Sequence, residues 1–294
     1  METPWGALAI SDSHVHFFSH GFFSLLATQK AGLRVEEMNP LLGWDMPPED
    51  PAALAAQWVK ELDRAGVRRA CLIASVPGDE PSVDAAVAAF PDRFHGFYML
   101  NPLAAPASRR VSCLFPAMHG YSLHDAKALA FIEAAAAAPN PVVFVHCGVL
   151  SVGVRKKLGL ASPFDLRFSN PIDLHGVALR FPQVRFIVPH FGAGYFREAL
   201  MVADLCPNIY FDTSSSNAWV RYQEGDWTLA KVFRRALDVV GPRRLLFGTD
   251  SSFFPRGWHA AVFTAQVAAL REVGINASDA AAIFGGNLEG LMKA

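Results

Sequence analysis

The stretch Ala7-Leu8-Ala9-Ile10-Ser11-Asp12-Ser13-His14-Val15-His16 decides how the chain is read. Its first half is a short apolar run, which reads as a strand. In a strand, residues two apart share a face, so His14 and His16 stand side by side at the strand's C-terminal end. Two imidazoles on one rigid backbone make half a site for a divalent transition metal. A His-x-His pair also arises by chance or for structural reasons, so the rest of the chain has to say whether further ligands arrive.

Working outward, further apolar runs read as strands: Ala70 to Ser75, Phe94 to Leu100, Val111 to Phe115, Pro141 to His146, Val184 to His190, Asn208 to Asp212 and Leu245 to Asp250. Helical patterns separate most of them. One opens at Asp50-Pro51, a capping residue followed by proline, and stops at Gly66. Others cover Pro81 to Phe90, the Ala-rich Ser122 to Ala138, Asn170 to Phe181, Gly194 to Leu205, Asp226 to Val240 and Arg256 to Val273, with a last one from Ser278 to about Met292. Most of the eight strands are continuously apolar, as strands buried on both faces are. Alternating with helices over 294 residues, they predict an α/β fold, a (β/α)8 TIM barrel in one domain spanning 1–294. A doubly wound open sheet is the alternative. The sequence lacks Gly-x-Gly-x-x-Gly, a Walker A loop and a Gly-x-Ser-x-Gly elbow, which sets aside the common nucleotide-binding and α/β-hydrolase versions.

Two connections are irregular. Residues 17–50 form a long link after strand 1, rich in Phe, Gly, Pro and Leu, which reads either as a lid or pocket wall or as a loop packed on the barrel rim. Between strands 3 and 4 only Asn101 to Arg110 are available, too few for a full crossover helix. If the outer face there is under-covered, residues such as Phe97, Met99, Cys113 and Phe115 would form an apolar patch and a two-fold homodimer would bury it. The other reading has the first link or neighbouring helices fold over the gap.

Composition bounds the function. A hydrophobic fraction of 52% supports a large core, and a net charge of −1 gives no electrostatic case for nucleic acid or an anionic membrane. The N-terminus lacks a basic, cleavable leader, and no apolar run approaches the ~18 residues of a membrane helix. Cys71, Cys113, Cys147 and Cys206 are widely spaced and read as reduced thiols of a cytoplasmic protein.

The strand ends carry the chemistry. His14 and His16 end strand 1, His146 strand 5, His190 strand 6, Asp212 strand 7 and Asp250 strand 8. In a barrel these positions meet at one mouth, where active sites lie. A polar group that ends an apolar strand is costly to bury without a partner. Together they point to a metal site with nitrogen and oxygen ligands suited to zinc, and with groups able to move protons.

With these residues in view, the chain resembles the amidohydrolase superfamily, in particular the amidohydrolase-related branch that includes aminocarboxymuconate semialdehyde decarboxylase. The matching pieces run from Asp12-Ser13-His14-Val15-His16 through Phe90-Pro91-Asp92-Arg93-Phe94-His95-Gly96, Phe115-Pro116-Ala117-Met118-His119-Gly120-Tyr121, Val145-His146-Cys147-Gly148, Val188-Pro189-His190-Phe191-Gly192 and Phe247-Gly248-Thr249-Asp250 to Gly286-Asn287-Leu288-Glu289-Gly290-Leu291. The resemblance implies that His14, His16, His146 and Asp250 bind one Zn2+ per chain, with Mn2+ as the other candidate. It implies that His190 stands just off the metal to polarise substrate or move protons, and that Asp250 doubles as a catalytic group. Asp212 reads as a supporting residue or as merely structural. Strand 4, Val111-Ser112-Cys113-Leu114-Phe115, lacks the lysine that bridges two metals in other branches, which favours one ion. The implied activities are hydrolysis of a small carboxylate, lactone or ester, or non-oxidative decarboxylation. A metal-binding protein without catalysis is the reading from another class. Arg155, Arg167, Arg221 and Arg256 are open candidates for holding a substrate carboxylate.

Overall fold

The protein is described from a computed structural model covering residues 1–104, 107–214 and 217–293. A small hairpin, Glu2–Thr3 with Gly6–Ala7, precedes eight parallel strands in one sheet: β1 (Ile10–His16), β2 (Val67–Ala74), β3 (Phe94–Leu100), β4 (Val111–Leu114), β5 (Val142–Val145), β6 (Arg185–Val188), β7 (Ile209–Asp212) and β8 (Leu245–Leu246). They lie in sequence order. Strand β8 returns to β1 through Ser13 N to Phe247 O (2.8 Å), Asp250 N to His14 O (3.0 Å) and His16 N to Ser251 O (2.7 Å). The sheet therefore curls into a (β/α)8 barrel rather than staying open.

The pleat sorts side chains into two shells. Cys71, Ile73, Phe97, Met99, Cys113, Phe144, Ile187 and Leu246 pack together as the barrel's interior, plugged by Leu288, Leu291 and Met292 of the C-terminal helix Asn287–Met292. The other parity, including Leu72, Leu100, Leu114, Val143, Val145 and Phe186, packs under the outer helices. Helix Pro51–Ala65 forms as its sequence demands. Asp50 accepts a hydrogen bond from Ala52 N, Pro51 opens the first turn, and Gly66 closes the helix at φ 70°.

The apolar outer patch expected between strands 3 and 4 is not formed by Phe97, Met99, Cys113 and Phe115. All four are buried, and they belong to the interior shell. The outward position is Tyr98, whose hydroxyl donates to Asp84 (2.7 Å) and whose ring lies 4.2 Å beneath the Arg109 guanidinium. These four positions thus offer nothing to a second chain. The short link holds a 3₁₀ turn, Pro102–Ala104, and Ala105 and Pro106 lie outside the described residues.

The segment after β1 is an ordered wall. It contains helix His20–Ala27 and helix Met38–Leu42, and Phe22, Phe23, Leu26, Met38, Leu42 and Trp44 share a core with Val154, Leu158 and Leu160 from beyond β5. All four cysteines are buried and unpaired. No helix among the described residues is long and apolar enough to cross a membrane.

Candidate metal centre

His14 and His16 leave β1 on the same side, and each ring is held by its far nitrogen. His14 Nδ1 lies 2.6 Å from Asp212 Oδ2, so it carries the proton and leaves Nε2 with a lone pair. Ser75 Oγ donates to Ile73 O (2.9 Å) and must therefore accept from His16 Nδ1 (2.7 Å), which again leaves Nε2 unprotonated. The two Nε2 atoms face each other at 3.3 Å. Asp250 Oδ1 stands 3.2 Å from His16 Nε2 and 3.7 Å from His14 Nε2. One ligand atom from each of His14, His16 and Asp250 lies within 4.8 Å of the others. Two lone pairs and a carboxylate oxygen pointed at one another repel unless a cation lies among them. The donor set therefore fits a divalent metal.

Electrostatics favour the ligand form of Asp250, His16, His146 and His190, while His14 is pulled the other way. Burial pushes the Asp250 carboxyl up, but a proton on His16 donated to it and positive charge on His14, His16 and His190 outweigh burial and hold Asp250 well below the usual carboxylate range, as a cation among the neutral rings would. Burial pulls His16 and His190 down from their ordinary value and His146 well below it, which favours neutral imidazole. Burial opposes protonation of His14 as well, but Asp212 outweighs it and raises the affinity for a proton.

His146 lines the same cavity but lies outside the tight group of three. Its ring stacks on Phe115 at 5.3 Å and stands 5.6 Å from His190, and its Nδ1 is buried without a hydrogen-bond partner among the described residues. His190 turns in from the end of β6 at φ 54°, a backbone conformation costly for a non-glycine residue. Its Nδ1 donates to Ser214 O (3.2 Å), which leaves Nε2 as an acceptor. Ser214 Oγ sits 3.0 Å from Nδ1 of both His14 and His190 and ties the two rings together. Asp250 also has positive φ, 59°, where the chain leaves the closing strand.

Several supports escaped sequence reading. Asp12 is wholly buried and accepts from His14 N (2.9 Å), Thr249 N (3.1 Å) and Trp258 Nε1 (2.8 Å), locking β1 to the β8 end. Burial pushes its carboxyl up to about 6, against the pull of those donors. Ser75 and Ser214 are the others, and nothing in a lone serine marks it. For Asp12 the signal was adjacency to His14. Gly248 has a steric role: a Cβ there would lie 2.7 Å from Asp212 Oδ1 and 3.0 Å from His14 Cβ, so only glycine lets β8 approach the pair.

The mouth holds a cavity of about 250 Å³. Part of its wall is aromatic: Phe18 stacks on Phe22 at 4.3 Å, and Trp44 stacks on Phe253 at 4.0 Å and 9°. Of the four candidate arginines, Arg256 alone lines this cavity. Arg155 is engaged by Gln29, Ala161 and Ser162, Arg167 by Asp165, and Arg221 by Tyr222.

Known proteins fall in line with this architecture. Over 91 residues the chain is 33% identical to Protein fluG of Emericella nidulans, a stretch that is 31% of this chain and 10% of that protein. Among solved structures, an amidohydrolase from Burkholderia multivorans with bound zinc superposes with a TM-score of 0.60 at 14% identity, covering 96% of this chain and 98% of that one. A probable 2-pyrone-4,6-dicarboxylic acid hydrolase from Acinetobacter baumannii gives 0.58 at 14% identity, covering 97% and 99%. A 2,6-dihydroxybenzoate decarboxylase gives 0.57 at 14% identity, covering 99% and 98%. At such identities the likeness is one of fold. The family model described as Amidohydrolase matches residues 27–288, nearly the whole chain, and so the chain belongs to the amidohydrolase family.

Proposed function

We propose that this protein is a metal-dependent hydrolase in which His14, His16, His146 and Asp250 hold one zinc ion, with manganese as the alternative, and His190 and Asp250 move protons. The observation that carries it is the pair of Nε2 atoms 3.3 Å apart with Asp250 Oδ1 beside them, each ring anchored through its other nitrogen. A zinc ion bound there supplies Lewis acidity, polarising a carbonyl and acidifying water to a pKa of about 7. The protein's own groups do the rest. His190, with its Nδ1 proton committed to Ser214 O, offers Nε2 as the proton acceptor and donor. Asp250, beside the two rings at the mouth of the cavity, accepts a proton from the attacking water and returns it to the leaving group. The aromatic walls strip water from a flat substrate and set its plane against the centre. The substrate we propose is a small unsaturated or aromatic carboxylate, lactone or ester. Four buried, unpaired cysteines favour a reducing, cytoplasmic compartment.

Non-oxidative decarboxylation of an aromatic acid is the second reading. It is favoured by the flat walls, by the fold shared with the dihydroxybenzoate decarboxylase and by the resemblance to aminocarboxymuconate semialdehyde decarboxylase. A panel of lactones, esters and aromatic carboxylates offered to the zinc-loaded protein separates the two. Acid release without carbon dioxide is expected, carbon dioxide would move the assignment to a carboxy-lyase, and neither product would leave a metal-binding protein without catalysis.

A further inference from the structure

We propose that Arg256 anchors a carboxylate of the substrate at the rim of the cavity, so that the enzyme selects flat monoanions over their neutral counterparts. The inference rests on reading the cavity as the substrate site, and it does not depend on which bond is cleaved. Arg256 is the only lysine or arginine that lines the cavity among the described residues. Its Nη2 donates to two neutral oxygens, Asp250 O at 3.2 Å and Ser252 Oγ at 2.9 Å. Its guanidinium carbon lies 4.4 Å over the Phe253 ring, and Phe253 is itself stacked on Trp44. Those contacts hold the guanidinium without using its Nε or Nη1 donors.

No carboxylate among the described residues pairs with Arg256, in contrast to Arg69, Arg93, Arg109 and Arg167. The acid closest to it in chemistry is Asp250, whose Oδ1 faces His14 and His16. Arg256 is exposed at the rim, feels the charge of Asp250 without forming an ion pair with it, and keeps its Nε and Nη1 donors, which an oxyanion can take up. Because the guanidinium is bonded to the carbonyl of the residue that also supplies a metal ligand, an anion held there lies close to the centre. The occupant must therefore be small. Phe18, Phe22, Trp44 and Phe253 line the cavity and give its occupant an aromatic, apolar border. Lys157 lies 5.3 Å over the Trp44 ring and donates to Leu42 O without lining the cavity, so it steadies the wall rather than the ligand.

Isothermal titration of the zinc-loaded protein with benzoate and with benzamide tests the inference without requiring turnover. Benzoate is expected to bind about 10- to 100-fold more tightly than benzamide, and Arg256→Gln is expected to remove that advantage while shifting benzamide less than about twofold. Equal binding of the two ligands to the unaltered protein would overturn the proposal, whatever becomes of the variant. So would an undiminished benzoate preference in Arg256→Gln, which would place the carboxylate on the metal instead. Because the readout is affinity, a failure to hydrolyse any ester or lactone leaves this result standing, and the reverse also holds.

Discussion

The two ends of the barrel share one apolar interior and treat charge in opposite ways. At the N-terminal end, charged groups pair with nearby opposites or with free carbonyls. Arg69 meets Glu289 at 2.5 Å, Ser11 donates to the same carboxylate, Arg93 meets Asp63 at 2.8 Å, and Arg110 donates to Met292 O and Lys293 O. At the C-terminal end, two imidazole lone pairs and a carboxylate face one another. Backbone strain follows the same division. Of the non-glycine residues at positive φ among those described, His190, Phe191, Ala193 and Asp250 cluster at the C-terminal end, while Asn140, a residue type that tolerates the conformation, precedes β5. Each strained residue costs about 1–3 kcal/mol. One end is built for stability, the other for a ligand that relieves what the polypeptide leaves unresolved.

The sharpest way to break this contrast is at the metal. We expect His14→Ala and His146→Ala each to lose the ion and all measurable turnover, with zinc content by elemental analysis as the readout. Full occupancy in both variants would defeat the ligand assignment. His190→Ala should keep the ion yet lose about 10²-fold or more in kcat, as a proton-transfer group does. Parental activity in that variant would remove His190 from the chemistry.

A smaller effect is expected one bond further out. Asp212→Asn removes the carboxylate charge and, with its carbonyl oxygen held by Ser214 N, turns an NH2 donor toward His14 Nδ1, so the tautomer is no longer fixed and zinc affinity should fall about 10- to 100-fold. Chelator competition measures this directly. An unchanged affinity would reduce Asp212 to a packing residue.

The smallest effect belongs to the other end. His95, near Arg69, Arg110 and Glu289, has an Nε2 buried without a hydrogen-bond partner among the described residues, and burial together with the two arginines pushes its pKa down to about 4. The folded protein therefore keeps it neutral while the unfolded chain takes up a proton below about 6.5. Its contribution to stability is fully present above that value and is lost as pH falls toward 4. Allowing for its partial exposure, the loss is about 1–2 kcal/mol. Denaturant melts between pH 7 and pH 4 should be less pH-dependent in His95→Gln, and parallel profiles would refute the assignment.

The barrel was legible because its signal is local. Runs such as Val142-Val143-Phe144-Val145 are apolar at every position, and a histidine or aspartate at the end of such a run stands out against them. His14, His16, His146, His190 and Asp250 were found that way, and the cavity receives all five. The same uniformity hid which way each strand faces. With both parities apolar, nothing in Phe97, Met99, Cys113 or Phe115 says inside or outside, and the outer patch expected of them turned out to be barrel interior.

What the sequence by itself determined, then, was the succession of strands and the polar groups that end them, because hydropathy and its period are properties of neighbours along the chain. Partnership between distant residues was decided only by tertiary structure. Ser75 holds His16 across 59 positions, Asp212 holds His14 across 198, and Trp258 reaches Asp12 across 246. The choice of Arg256 among four arginines is of the same kind. A hydrogen bond is a matter of distance and direction in space, and no local pattern of residue types carries either.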